Sequence, residues 1–251
     1  MVTKKKERVD KLLVDRGLVQ SRERASALIL EGKVIVNGIR VDKAGTKVPA
    51  DSSLKLKEND IPYVSRGGVK LAYALDEFKL EVKDKVALDI GASTGGFSDC
   101  LLQRGARKVY AIDVGYGQLA WRIRQDPRVV TLERRNIRYI DPEEVGEKAD
   151  LAVIDISFIS LTKVLPKVRE LIGKEGYIIA LIKPQFEVEK GEVGKGGIVK
   201  DPENHRQVIE KIKGFALFHD LKVLGLIESP ILGADGNKEF FIYLISTPNI
   251  N

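Results

Sequence analysis

The sequence predicts an α/β protein in which a doubly wound, mostly parallel sheet follows a small α+β module. Three observations predict it. Continuous apolar runs of strand length alternate with helical stretches from Val86 to Ser246. The first run opens into a glycine-rich turn, Asp89-Ile90-Gly91-Ala92-Ser93-Thr94-Gly95-Gly96. Ahead of both, two short helical patterns precede a tight hairpin signal.

A chain of 251 residues, 43% hydrophobic, can bury one good-sized core and carry a small appended unit. No stretch is long and apolar enough to span a bilayer. The start, Met1-Val2-Thr3-Lys4-Lys5-Lys6, lacks the apolar run of a secretory signal, so a soluble, cytosolic protein is expected. Cys100 is the single cysteine, and His205 and His219 are the only histidines. A disulfide within the chain is excluded, and no structural metal is expected. The net charge of +6 is uneven: residues 1–60 hold 14 Lys and Arg against 9 Asp and Glu, the rest 28 against 27. A basic excess confined to one end favours a polyanionic partner, although a solvated lysine-rich end accounts for Lys4 to Lys6 as well.

In that basic end Val9, Leu12 and Leu13 recur at helical spacing, and Gly17 closes the run. Ser21 is the expected N-cap of a second helix with Ala25, Leu28 and Ile29 on one face and Gly32 after its end. Val34 to Val41 then alternates around Asn37-Gly38, a pair suited to a tight hairpin turn that needs positive φ at both central positions. Arg8, Lys11, Arg22, Arg24 and Lys33 are left for the solvent side and form one basic face. Asn59 to Tyr63 reads as a linker because Pro62 cannot continue a ladder. The expected organisation is residues 1–58, a linker at 59–64, and residues 65–251.

In the larger part the predicted strands are 86–90, 109–114, 129–133, 151–156, 177–183, 223–228 and 239–246. Ligands of such sheets bind outside the carboxyl ends of the strands, where strand order reverses. Gly91, Ala92, Ser93, Thr94 and Gly95 let backbone approach a ligand and leave amides free at the start of the helix Phe97 to Gln103. Asp113 ends the second strand about 20 residues on, where a carboxylate can accept from both hydroxyls of an adenosine ribose. A glycine turn plus an acid fits NAD, FAD or S-adenosylmethionine. The spacing departs from G-x-G-x-x-G, no P-loop Gly-Lys-Ser/Thr is present, and Gly233 to Asn237 reads as a hairpin that sets an antiparallel last strand at the sheet edge. These favour S-adenosylmethionine.

Asp155 and Lys183 end the fourth and fifth strands, Lys70 lies on a helix before the first, and Glu239 opens the last. With the Asp89-to-Phe97 turn, these four residues resemble the lysine, aspartate, lysine, glutamate tetrad of FtsJ-type ribose 2′-O-methyltransferases. The stretches Arg8 to Leu13, Ser21 to Ala25 and Gly32 to Gly38 resemble the RNA-binding module first described in ribosomal protein S-four. Val64-Ser65-Arg66-Gly67-Gly68, Ile182 to Glu187 and Gly196 to Asp201 extend the likeness. End to end, the chain resembles the TlyA family of rRNA cytidine 2′-O-methyltransferases, also labelled haemolysins.

The resemblance implies S-adenosylmethionine as cofactor and ribosomal RNA or ribosomal subunits as partner. It implies catalytic roles for Lys70, Asp155, Lys183 and Glu239, and donor contacts from Asp89, Gly91 to Gly95, Asp113, Asn136 and Asp155. Arg8, Lys11, Arg22, Arg24, Lys33 and Arg66 are the implied RNA contacts. Lys183 would deprotonate or orient the ribose hydroxyl; burial and crowding by Lys70 would lower its pKa. Asp155 would hold that ammonium and steer the donor methyl, while Lys70 and Glu239 fix the ribose. An extruded nucleotide is expected. The short tail after Ser246 favours large-subunit RNA as substrate.

Other readings remain for single residues. Each tetrad member also suits a salt bridge at a strand end; Asn136 suits a loop cap; Phe158 suits either a pocket wall or packing. Trp121 and Tyr116 are left unassigned. Gly191 to Gly197 reads as a mobile loop that clamps RNA or is functionally idle. For the whole chain, an idle RNA-binding or ribosome-assembly factor is the alternative function. The haemolysin label invites a membrane-active one, but no strongly amphipathic apolar helix supports it.

Overall fold

The computed structural model describes residues 6–19, 21–30, 32–56, 61–189, 191–194, 196–233 and 236–247. The chain divides into two compact units, Met1–Ile61 and Pro62–Asn251. Of the expected linker, residues 59 and 60 lie outside the described residues, as do Lys190, Lys195, Ala234 and Asp235.

The first unit runs β1 (Lys6–Arg8), α1 (Val9–Asp15), α2 (Arg22–Leu30), β2 (Val34–Val36), β3 (Ile39–Arg40), β4 (Lys47–Pro49) and β5 (Leu54–Leu56). The helices bury the faces their spacing predicts: Val9, Leu12 and Leu13 from α1, and Ala25, Leu28 and Ile29 from α2. The Ser21 hydroxyl accepts from the Arg24 amide at 3.2 Å, as an N-cap does. Strands β2 and β3 pair antiparallel around Asn37 and Gly38, whose φ values of 50° and 85° are those a type I′ turn requires. Two further pairings, β1 with β4 and β2 with β5, were not expected. Three-residue strands are too short for alternation to stand out from a loop.

The second unit contains α3 (Arg66–Glu77), β6 (Val86–Ile90), α4 (Gly96–Gln103), β7 (Lys108–Asp113), α5 (Trp121–Arg124), β8 (Val129–Glu133), α6 (Pro142–Val145), β9 (Ala149–Ile154), α7 (Leu165–Leu171), β10 (Ile172–Ile182), α8 (Pro202–Phe218), β11 (Leu221–Glu228) and β12 (Phe240–Ser246). These strands form one sheet in the order β11-β12-β10-β9-β6-β7-β8. The pairings from β10 through β8 are parallel, and β12 is antiparallel to both its neighbours.

Side chains alternate between two cores. Val86, Leu88 and Ile90 pack with Val145, Val168 and Ile212 on one face, while Ala87 joins Leu71, Leu101 and Ile123 on the other. Both faces are therefore covered by helices, which is why these strands read as unbroken apolar runs.

The edge position expected for the last strand is corrected: β12 lies between β10 and β11, and β11 is the edge. The residues explain it. Phe241, Ile242 and Leu244 of β12 are fully buried, whereas β11 exposes Lys222 and Leu224, and a charged, partly wetted strand is the one suited to a sheet margin. Among the described residues no helix is long and apolar enough to cross a membrane.

Candidate active site

Strand order reverses between β6 and β9, and the chain opens a cleft there. The turn after β6 enters it because Gly91 adopts φ +84°, and a Cβ at that position would stand 2.4 Å from the Asp155 carbonyl oxygen. Asp155 itself is anchored where β9 ends, its amide donating to the Ile90 carbonyl at 2.9 Å. A Cβ on Gly96, at the start of α4, would stand 2.1 Å from the Ser65 hydroxyl, so a glycine there lets the beginnings of α3 and α4 meet.

Two adjoining cavities occupy the cleft and share Gly91, Ser93, Asp155 and Ser157. The smaller, about 310 Å³, is lined by Lys70, Asp155, Lys183 and Glu239 together with Gly91, Ala92, Ser93, Thr94 and Arg66. The larger, about 540 Å³, is lined by Asp113, Asn136, Arg135, Arg138, Gln118 and Phe158.

The four charged residues form two close pairs. Lys70 Nζ lies 2.6 Å from Glu239 Oε2, both side chains nearly buried; Lys183 Nζ lies 2.6 Å from Asp155 Oδ1 and donates to the Ser157 hydroxyl at 3.0 Å. The expected crowding of Lys183 by Lys70 is thus tempered by geometry, since each ammonium has a carboxylate of its own. Gly233 packs over Glu239: a Cβ there would stand 2.4 Å from Oε1.

Several residues expected at a donor site do other work. Asp89 lines neither cavity. It is fully buried beneath the turn, where Oδ2 accepts from the amide and hydroxyl of Ser98 at 2.8 and 2.6 Å and Oδ1 has no partner. Burial, opposed by those Ser98 hydrogen bonds, pushes its pKa up to about 7. Gly95 also lines neither cavity; it precedes α4 with φ +91°. Asp113 reaches the larger cavity, but its oxygens already accept from the amides of Ser93 at 2.8 Å and Gly115 at 2.7 Å, leaving only their remaining lone pairs for a ligand. Asn136 lines the same cavity while its side chain caps a short 3₁₀ turn by accepting from the Arg138 amide. Both readings of that residue therefore hold together.

Phe158 is 90% exposed, with φ +66°, and its ring lies 5.0 Å from that of Phe186. The glycine segment is anchored at its last residue: the buried side chain of Asn237 donates to the Gly197 carbonyl at 2.8 Å and accepts from the Val199 amide just beyond it at 2.9 Å. Ser157, Arg135 and Arg138 were missed. Nothing in the sequence singles out a serine two residues past an aspartate, and arginines flanking an asparagine look like any solvated pair.

On the first unit the expected basic face is largely engaged. Arg8 and Arg22 both reach the buried carboxylate of Asp10, at 2.8 and 2.9 Å, and Lys11 pairs with Glu7 at 2.8 Å. The hydrogen bonds from Arg8, aided by Arg22 and opposed by burial, hold Asp10 far below the usual carboxylate range. Arg24 and Lys33 are half-buried.

A sheet in which a reversed strand is inserted next to the edge, with a glycine turn at the switch point, defines the class: the second unit has a methyltransferase fold. Residues 63–245 match the FtsJ-like methyltransferase family, and residues 7–54 match the S4 domain. The chain belongs to the FtsJ-like methyltransferases, in their TlyA group. It is 50% identical over 244 residues to the YqxC protein of Bacillus subtilis, covering 97% of this chain and 87% of that one. It is 46% identical over 238 residues to the 16S/23S rRNA (cytidine-2′-O)-methyltransferase TlyA of Mycobacterium tuberculosis, covering 94% and 89%. A solved structure of a hemolysin-named protein from Streptococcus thermophilus superposes with a TM-score of 0.76 at 45% identity, covering 98% of this chain and 90% of that one.

Proposed function

We propose that the chain methylates the 2′-hydroxyl of a cytidine ribose in ribosomal RNA, with S-adenosylmethionine as donor and the N-terminal unit holding the RNA. The observation that carries this reading is the convergence of Lys70, Asp155, Lys183 and Glu239 on one cavity beside the glycine turn. The relatives' activity and the S4 domain supply the substrate class.

The cleft fits the donor in shape and charge. Gly91 lets the turn pack against the Asp155 carbonyl while lining both cavities, and Asp113 and Asn136 line the larger one, where a nucleoside would lie. The carboxylate of Asp155, at the junction of the cavities, suits a cationic centre. Bound there, S-adenosylmethionine supplies an electrophilic methyl carbon for in-line attack.

The chain's own residues then address the acceptor. A ribose hydroxyl is a weak nucleophile until its proton is taken or held. Lys183 Nζ donates to the Ser157 hydroxyl and lies against the Asp155 carboxylate, which leaves hydrogen-bonding capacity on Nζ for the incoming hydroxyl. Lys70, fixed by Glu239, provides a second anchored donor in the same cavity for the ribose. RNA would also be met around the cleft: exposed Tyr116 stacks with the Arg134 guanidinium at 4.1 Å, and exposed Tyr139 with Arg138 at 4.9 Å, a pairing of aromatic and cation suited to unstacked nucleotides. Acting on ribosomal RNA, the protein would operate in the cytoplasm.

The test is transfer of labelled methyl groups from S-adenosylmethionine to rRNA, with the modified riboses mapped. Lys183→Ala is expected to abolish transfer while donor affinity, measured by calorimetry, is retained. Turnover in that variant would remove Lys183 from the mechanism.

A further inference from the structure

Glu187 is 4% exposed and lines neither cavity of the cleft. Its carboxylate accepts from the Ser160 hydroxyl at 2.6 Å and from the Leu161 amide at 2.6 Å. These donors end the loop that leaves β9 and carries Asp155, Ser157 and Phe158. Glu187 itself ends the turn that leaves β10 and carries Lys183: its amide donates to the Pro184 carbonyl at 3.0 Å, and its carbonyl accepts from Lys211 of α8 at 2.7 Å. Among the described residues, the cation within 4 Å of the carboxylate is that same Lys211, 3.9 Å away on a half-exposed side chain. A carboxylate buried with so little compensation is costly, and replacing it by an apolar residue would leave the buried Leu161 amide without its acceptor and the half-buried Ser160 hydroxyl with only Thr162 Oγ1, 2.8 Å away. Burial, against the two hydrogen bonds, raises its pKa from the usual range.

We propose that Glu187 is a positioning residue which clasps the β9 loop to the β10 turn and so sets the approach of Lys183 to Asp155 and Ser157. The β9 loop is held at its beginning by the Asp155 amide on Ile90 and at its end by Glu187. Between these anchors Phe158 sits at φ +66°, a conformation that an aromatic residue keeps only under restraint. The Lys183–Asp155 and Lys183–Ser157 contacts bridge the same two segments as Glu187 does. Loss of the clasp frees the far end of one segment relative to the other, and the ammonium loses its fixed direction. The proposal rests on the assignment of Lys183 and Asp155 to methyl transfer.

The experiment compares the full-length chain with Glu187→Ala, Glu187→Gln and Ser160→Ala. Three quantities are read: kcat and KM for rRNA methylation, S-adenosylmethionine affinity by calorimetry, and hydrogen–deuterium exchange of amides 155–163. Glu187→Ala is expected to lose about 10²-fold in kcat, the scale of an ångström-sized misplacement, with KM and donor affinity within about threefold. Its amides in the β9 loop exchange faster. Glu187→Gln keeps an oxygen for the Leu161 amide and an NH₂ for the Ser160 hydroxyl, so kcat stays within about fivefold and exchange is unchanged. If Glu187→Ala does not fold, Ser160→Ala decides: a lower kcat at unchanged donor affinity supports the clasp, and wild-type kcat overturns it. Unchanged kcat in Glu187→Ala, a loss confined to KM or donor affinity, or an equal loss in Glu187→Gln would also overturn it. A wild-type chain that methylates no rRNA defeats the proposed function instead, and the exchange measurement still judges the clasp.

Discussion

Asp89 was expected to touch the donor and instead supports the turn from below, because the alternation of β6 sends its side chain toward the helix-covered face carrying α4. Its raised pKa has a consequence for stability. An unfolded aspartate titrates near 3.9, whereas folded Asp89 titrates at about 7. Between those values the folded chain keeps a proton that the unfolded chain has released. Stability therefore falls as pH rises through this window, by up to about 1.4 kcal/mol per unit, and levels off above it. Urea unfolding at pH 5 and pH 8 should show a smaller loss for Asp89→Asn than for wild type, and equal losses would mean the proton resides elsewhere. Lys70 and Glu239 give a second residue-scale test. Lys70→Ala should cost about 3–5 kcal/mol by stranding a buried carboxylate, while Lys70→Met with Glu239→Leu should recover much of that loss yet remain inactive. Recovery of activity in the double variant would show the pair to be structural alone.

Elements were legible where periodicity is long. The seven strands of the second unit overlap the expected runs, and the central ones were legible because burial on both faces requires unbroken apolar sequence. The Asn37-Gly38 turn was legible for a different reason, as few residue pairs tolerate positive φ twice in succession. β1, β4 and β5 were not legible, and β12 was placed at the wrong lateral position, since a run of apolar residues declares burial but not neighbours. The β6–α4 turn bears its own prediction. Gly91→Ala combines a positive φ with a Cβ 2.4 Å from the Asp155 carbonyl, so it should lower the melting temperature and weaken S-adenosylmethionine binding by at least about tenfold. Thermal unfolding and calorimetry would check both, and wild-type values would show that the turn can move aside.

At the scale of the molecule, a basic S4 domain joined to a methyltransferase unit predicts RNA binding with a steep salt dependence. For the full chain, log affinity for rRNA should fall linearly with log salt, and Arg24→Ala or Lys33→Ala should each reduce the slope by roughly one if the residue meets a phosphate. Arg8→Ala and Arg22→Ala should in addition lower stability, because both hold Asp10, and an unaltered melting temperature would argue against that coupling. Local chemistry in the chain was enough to dictate the alternating elements, the glycine turn and the hairpin, while the four charged residues were singled out by their resemblance to a known tetrad. The elements and turns depend on neighbours a few positions apart. The pairing of Lys70 with Glu239 across 169 residues, the hidden place of Asp89, the insertion of β12 and the clasp made by Glu187 depend on which segments the sheet sets side by side. That choice belongs to packing over the whole unit, and no local pattern encodes it.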